Sequence, residues 1–319
     1  MSDRSPPALD RIVAGVDFSP AALSGVEWVA RVLAPEAEVI LVHSIDLEAP
    51  AYPEARATAN DSNLEAARAR AKDRLDELAR TLRDEQGDRA IRVEVCEGRP
   101  PRAIAKLADD CGADLIVVGP HGRHAPGWVA LGSTAERLLR TSSIPVLLAA
   151  GARRERPQRI LVPVDDVDLT PAVVEWANVL ARDGDATVML MHVLRHDWNA
   201  RYLELAASRW AVRHDEDSET LDREARHAAA AWLHTLSREL TPSAAVKLLV
   251  TRGQAGSEIL AMARRQAADL IVIGRRGAGR VLPGVLGSTV SVVLRGAPCP
   301  VFVVVDPADA ILGENDLTP

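Results

Sequence analysis

Residues Ala113 to Ser133 read A-D-L-I-V-V-G-P-H-G, then nine residues, then G-S. Leu115 to Val118 form a short unbroken apolar run between turn signals, the pattern of a strand buried on both faces of a parallel sheet. Gly119 and Gly122 mark a turn that needs unusual φ or close backbone approach. Gly132-Ser133-Thr134 follows, and Ser133 is placed to cap the helix that begins there. The order is therefore strand, glycine loop, helix N-terminus. Such an N-terminus offers free N–H groups and a partial positive charge to an anion such as phosphate.

The stretch occurs twice. Ala268 to Ser288 reads A-D-L-I-V-I-G-R-R-G, nine residues, G-S. Gly274, Gly277, Gly287 and Ser288 repeat Gly119, Gly122, Gly132 and Ser133 at a constant offset of 155 residues. The offset holds back to Gly98 and Gly253 and forward to Pro145 and Pro300, which identifies a duplication.

The 319 residues suffice for two ordinary domains, read here as 1–152 and 153–319. A net charge of −7 argues against nonspecific binding to nucleic acid or membrane. The sequence contains no run of about 18 apolar residues, the length a bilayer span needs, and no signal-peptide core follows the charged N-terminus. Cys96, Cys111 and Cys299 are odd in number and lack metal-ligand spacing, as suits a reducing cytoplasm.

Each half alternates strands with helices. The first strand, Arg11 to Val16, ends at Asp17, and Ser19-Pro20 reads as an N-cap followed by proline at the first helical position. The helix it opens is expected to run to about Leu33. A second strand spans Glu38 to Ser44, a long amphipathic helix Leu64 to Leu82, a third strand Ile91 to Cys96 and a fifth Pro145 to Ala149. The second half repeats this from Arg159, with Asp165 after its first strand and a fifth strand at Val301 to Val305. This alternation implies right-handed crossovers and an open parallel sheet covered on both faces. Ligands of such sheets bind beyond the strand C-termini, where the strand order reverses. If the first and fourth strands are neighbours, Asp17 and Gly119 line one crevice and Asp165 and Gly274 the other.

Both halves resemble the universal stress protein family. The marks are I-V-A-G-V-D-F-S and I-L-V-P-V-D at the first strands, and V-H-S-I-D and M-H-V at the second. G-x-x-G, nine residues and G-S, followed by P-V-L-L-A or P-V-F-V-V, is the most specific mark. The resemblance implies two doubly wound α/β domains, each a five-stranded parallel sheet of order 3-2-1-4-5 with helices on both faces. It also implies ATP as ligand, with Mg2+ as its counter-ion, and a binding and signalling role in stress response with at most slow turnover. Carried over by position, Asp17 and Asp165 would hold the ribose or adenine side, and the backbone at Ser44 and Val193 would meet the adenine edge. Gly119, Gly122, Gly132 and Ser133 would cradle ribose and phosphates in the first copy. Gly274, Gly277, Gly287 and Ser288 would do so in the second. Neither a catalytic set nor a metal site is implied.

Two features favour the second loop. Ser133-Thr134-Ala135-Glu136 reads as a capping box, in which Glu136 takes donors that phosphate would use, whereas the second copy has Ser291 there. The second loop also carries Arg275, Arg276 and Arg280, against Arg123, His121, His124 and Pro120 in the first. Asp17 and Asp165 could instead close Asx turns. His43 and His192, at equivalent strand ends, read as structural, and Trp28 and Trp176 as core residues. Trp198, Tyr202 and Trp210 lie in the variable part of the second copy.

Other readings stay open. An enzyme that splits ATP between its α- and β-phosphates on a related sheet carries an S-G-G-x-D-S loop, but here the segments are G-V-D-F-S-P and P-V-D-D-V-D. No Walker-type G-x-x-x-x-G-K-[ST] occurs. A non-catalytic module holding a lipid-like ligand, or none, is the alternative from another class. The apolar fifth strand V-F-V-V-V would invite aggregation as an open edge. It is therefore expected to pair with the other fifth strand in an internal pseudo-dimer, with a homodimer of tandem chains as a further step.

Overall fold

The computed structural model describes residues 9–46, 61–84, 90–122, 131–151, 155–165, 169–182, 186–194, 218–240, 245–276 and 285–305. Gly277, Arg280 and the aromatic residues Trp198, Tyr202 and Trp210 lie outside them.

Ser19 opens the first helix as expected. Its Oγ accepts the Ala22 N–H at 3.2 Å and Pro20 occupies the first turn. That helix, α1 (Pro20–Trp28), does not continue as α-helix to Leu33. Val29–Leu33 form a π-turn, closed by the Ala34 N–H on the Val29 carbonyl at 3.0 Å. The first copy supplies β1 (Arg11–Gly15), β2 (Glu38–Ile45), α2 (Asp61–Asp84), β3 (Ile91–Glu97), α3 (Pro100–Cys111), β4 (Leu115–Val118), α4 (Ser133–Thr141) and β5 (Val146–Leu148). The second supplies β6 (Arg159–Pro163), α5 (Thr170–Ala181), β7 (Thr187–Leu194), α6 (Ser218–Ser237), β8 (Ala245–Arg252), α7 (Ala255–Arg265), β9 (Leu270–Gly274), α8 (Ser288–Gly296) and β10 (Val301–Val304).

Two compact units form. The first holds β1 to β5, α1 to α4 and also β10; the second holds β6 to β9 and α5 to α8. In the first unit the strand order is β3-β2-β1-β4-β5-β10. Its first five strands are parallel, in the expected 3-2-1-4-5 order. β10 runs antiparallel to β5, with Val301, Phe302 and Val303 opposite Leu148, Leu147 and Val146. The two fifth strands thus pair, as an apolar edge requires. The second unit orders its strands β9-β6-β7-β8, all parallel. Right-handed crossovers in this order put α1 and α2 on one face of the first sheet and α3 and α4 on the other. Accordingly α2 packs on β2 and β3, while α3 packs on β1 and β4 and touches α4.

The repeated Ala-Asp before the fourth strand has a structural cause. Asp114 Oδ2 accepts the N–H groups of Asp10 and Arg11 at 2.9 and 2.8 Å, fixing where β1 starts beside β4. Asp269 does the same for Gln158 and Arg159 at 3.2 and 3.0 Å. Hydrogen bonds to a charged acceptor contribute more than neutral ones, so Asp114→Ala is expected to cost about 2 kcal/mol, read by urea denaturation.

The copies differ at one helix end. Gly112 leaves α3 in the left-handed region at φ 63°, and its counterpart after α7 is Ala267 at φ 49°. A Cβ in that region costs about 1–2 kcal/mol, against about 0.4–1 kcal/mol of unfolded-state freedom gained by glycine. Ala267→Gly is therefore expected to stabilise the second unit by about 0.5–1 kcal/mol, seen as a raised denaturation midpoint with unchanged slope.

Candidate functional site

The first crevice is built where β1 and β4 end side by side. Beyond β1, Asp17 Oδ1 accepts the Ser19 N–H at 2.9 Å, so an Asx turn does form. It uses one carboxylate oxygen. The other, Oδ2, stands 3.3 Å from where a Cβ on Gly122 would be. At Gly119 a Cβ would come within 3.2 Å of the Ala22 N in the first turn of α1. The loop then closes on itself: the Gly132 N–H donates to the Pro120 carbonyl at 2.8 Å, and a Gly132 Cβ would lie 3.2 Å from that oxygen. Asp17, Gly119, Gly122 and Gly132 are thus brought together beside the N-terminus of α4.

That N-terminus differs from the expectation. The N-cap is Gly132, Ser133 is the first helical residue, and no side chain caps the helix. One residue of offset puts Glu136 too far along for a capping box. Its carboxylate instead accepts from Arg140, one turn on, at 2.7 Å. The second copy is built alike: Gly287 is the N-cap of α8, with no side-chain cap, and Ser288 follows it. The supposed contrast between the two helix N-termini is absent.

The second crevice repeats the loop closure, with the Gly287 N–H on the Arg275 carbonyl at 3.4 Å. Gly274 is crowded by Leu169, 2.7 Å from its Cβ position. The Asp165 carbonyl accepts the Thr170 hydroxyl at the start of α5. Arg275 stands where the first copy has Pro120, and it is buried, with 3% of its surface exposed. Its backbone carbonyl is part of the loop closure. Arg276 is half-buried.

The strand ends behind each crevice also match. The Val16 N–H donates to Val42 and the Val164 N–H to Met191, both at 2.8 Å. His43 Nδ1 donates to the Val16 carbonyl at 2.6 Å and His192 Nδ1 to the Val164 carbonyl at 3.0 Å, the bonding of structural histidines. Ser44 lies one residue on, paired in register with Cys96, and its hydroxyl donates to the Gly98 carbonyl at 2.6 Å. Val193 is paired with Thr251. Their place beside the crevice follows from strand order. Trp28 and Trp176 are buried, and Trp28 Nε1 donates to the Glu155 carbonyl at 3.3 Å.

Charge at the third-strand ends is inverted between the copies. β3 ends in Glu97, which meets Arg68 of α2 at 3.2 Å. β8 ends in Arg252, which meets Asp222 of α6 at 2.5 Å, and Asp222 also holds Arg226 at 2.8 Å. The Arg226 hydrogen bond is the main reason that the Asp222 carboxyl sits below its ordinary value. These ion pairs are therefore kept at neutral pH and weaken only as the pH falls through that lowered value. Burial pushes the Cys96 thiol up, with Glu94 adding to it, so no reactive thiolate stands at the strand end.

Sequence reasoning missed two groups near the crevices. Phe18 carries a positive φ of 60°, with its ring 4.9 Å from the His43 ring and under the Arg74 guanidinium at 3.8 Å. In the second unit, Trp232 of α6 meets His192 edge-on at 5.2 Å. No periodicity or motif links residues so distant in the chain. Among the described residues no cluster of three or more His, Cys, Asp or Glu could hold a metal ion, and no helix is long and apolar enough to cross a membrane.

The model of the Universal stress protein family matches residues 8–150 and 157–305. A universal stress protein of Mycolicibacterium smegmatis is 27% identical over 298 residues, covering 92% of this chain and 96% of its own. One of Mycobacterium tuberculosis is 26% identical over 312 residues, covering 92% and 95%. Among solved structures, a universal stress protein from Archaeoglobus fulgidus superposes with a TM-score of 0.67 at 21% identity, over 93% of this chain and 99% of its own. A Pseudomonas aeruginosa protein of unknown function gives 0.65 at 19%, over 95% of each chain. With the family model matching both halves, the chain belongs to the universal stress protein family.

Proposed function

We propose that the protein binds ATP in its glycine-loop crevices as a regulatory ligand in a cytoplasmic stress response. The observation that carries this is in the first crevice. Asp17 turns one carboxylate oxygen toward Gly122 while Gly132 closes the loop beside an uncapped helix N-terminus. A carboxylate suits ribose hydroxyls, which donate to it. Bare glycine backbone and free helix N–H groups suit phosphates, with about 0.3–1 kcal/mol from the helix dipole and up to about 2 when partly buried. Asp17, Gly119, Gly122, Gly132 and Ser133 would hold the nucleotide in the first unit, with the strand end at Ser44 toward the base. Asp165, Gly274, Gly277, Gly287, Ser288, Arg276 and the strand end at Val193 would do so in the second. Mg2+ would travel with the triphosphate. The preference for the second crevice no longer has a capping difference behind it and rests on the loop arginines Arg275, Arg276 and Arg280.

ATP acts here as a ligand and not as a consumed substrate, because efficient phosphoryl transfer needs a positioned nucleophile and cation clamps on the transferring group. A turnover near one per second that Asp165→Ala abolishes would overturn that point. The binding itself is tested by titration calorimetry of the full chain with ATP. A hydrogen bond to a charged group contributes about 1.5–3 kcal/mol, so Asp17→Ala is expected to weaken binding at one site about tenfold or more. Unchanged affinity would remove Asp17 from the site.

A further inference from the structure

Phe18 stands out on backbone grounds. Only it and Ala267 carry positive φ without being glycine among the described residues. Ala267 follows a helix end, where that conformation is common. Phe18 lies between the two partners of a hydrogen bond, the Asp17 carboxylate and the Ser19 N–H. A bulky residue in the left-handed region is strained, and such strain persists only where surrounding contacts over-determine it.

Those contacts are visible. The Phe18 ring lies against His43, tilted by 42°, and His43 is itself fixed by its bond to the Val16 carbonyl. The Arg74 guanidinium covers the ring at 3.8 Å from its centroid, a cation–π contact. Arg74 projects from the middle of α2, next to fully buried Leu75, so that helix is anchored. The ring thereby pins the left-handed turn, the turn lets Asp17 Oδ1 take the Ser19 N–H, and the remaining oxygen faces Gly122. In the second unit the described ring contact of the equivalent histidine is different: His192 meets Trp232 of the long helix.

We propose that Phe18, clamped by Arg74, is a positioning residue that aims Asp17 into the first crevice and couples helix α2 to whatever that carboxylate binds. The ligand half of this rests on the nucleotide reading; the positioning half does not. In Phe18→Ala the strain remains and its anchor is gone, so the turn opens. Strain of this kind corresponds to a population change of about fivefold to thirtyfold.

The test uses the full chain with two readouts. Without nucleotide, hydrogen exchange at the Ser19 and Ala22 amides should quicken about fivefold or more in Phe18→Ala, less in Arg74→Met, and stay at the wild-type rate in Phe18→Tyr. With ATP, affinity at the first site should fall about fivefold or more in Phe18→Ala and be kept in Phe18→Tyr. No further fall should appear when Phe18→Ala is added to Asp17→Ala. Wild-type exchange in Phe18→Ala would overturn the proposal. So would an equal loss of ATP affinity with and without the Asp17 carboxylate, which would make Phe18 a general support of the fold. If the wild-type chain binds no ATP, the nucleotide reading and the ligand half fall together, and the exchange rates still decide the positioning half.

Discussion

Phe302→Asp is expected to unfold the first compact unit, or to leave it so marginal that it melts below room temperature. Phe302 has no exposed surface, is the largest fully buried side chain among the described residues, and lies opposite Leu147 in the antiparallel β5–β10 pair. Removing a buried phenyl ring costs about 3–5 kcal/mol. An uncompensated buried carboxylate adds several more, or is forced to take up a proton. The sum rivals the whole stability of a domain, about 5–15 kcal/mol. Phe302→Leu, which keeps the apolar surface, should cost only about 1–2 kcal/mol. Equilibrium denaturation, with hydrogen exchange at Leu147 and Leu148, reads both. A wild-type midpoint for Phe302→Asp would mean that β10 does not seal this edge.

The second large effect is expected at Gly122. Among the described residues, a Cβ there would meet only Asp17 Oδ2, at 3.3 Å, so a side chain is expected to enter with little cost to the fold. It would, however, fill the space that Asp17 faces. Forcing methyl groups into occupied space costs about 1–3 kcal/mol, so Gly122→Val should weaken ATP at the first site about tenfold to a hundredfold with stability near wild type. Gly132→Val is the contrast. Its Cβ would crowd the Pro120 carbonyl and the His121 Cα, so that variant should lose loop closure and stability together.

How much of this was legible in the sequence depends on how local the cause is. The duplication, the strands, the 3-2-1-4-5 order of the first copy and the pairing of fifth strands were readable, because unbroken apolar runs and repeated glycines are local signals. Helix ends were less so. Ser133 looked like a cap because serine is a good one, but the chain spends Gly132 on that position, and Glu136 finds Arg140 within its own helix. The role of the Arg275 backbone carbonyl in the loop closure, and the burial of that residue, had no signal in its residue type. The Asp114 and Asp269 clamps were printed twice in the motif, yet their partners lie over a hundred residues away in the chain. The Phe18–Arg74 contact had no signal, since only the packing of α2 across β2 and β3 brings the two together.

The central claim, adenine nucleotide held in the glycine-loop crevices, is tested most directly by native mass spectrometry of the full chain, as purified and after addition of excess ATP. The wild-type protein should carry adenine nucleotide, and Gly122→Val should carry one nucleotide fewer at the same ATP concentration. A wild-type chain that stays free of nucleotide in excess ATP, or a Gly122→Val chain with the wild-type count, would contradict it.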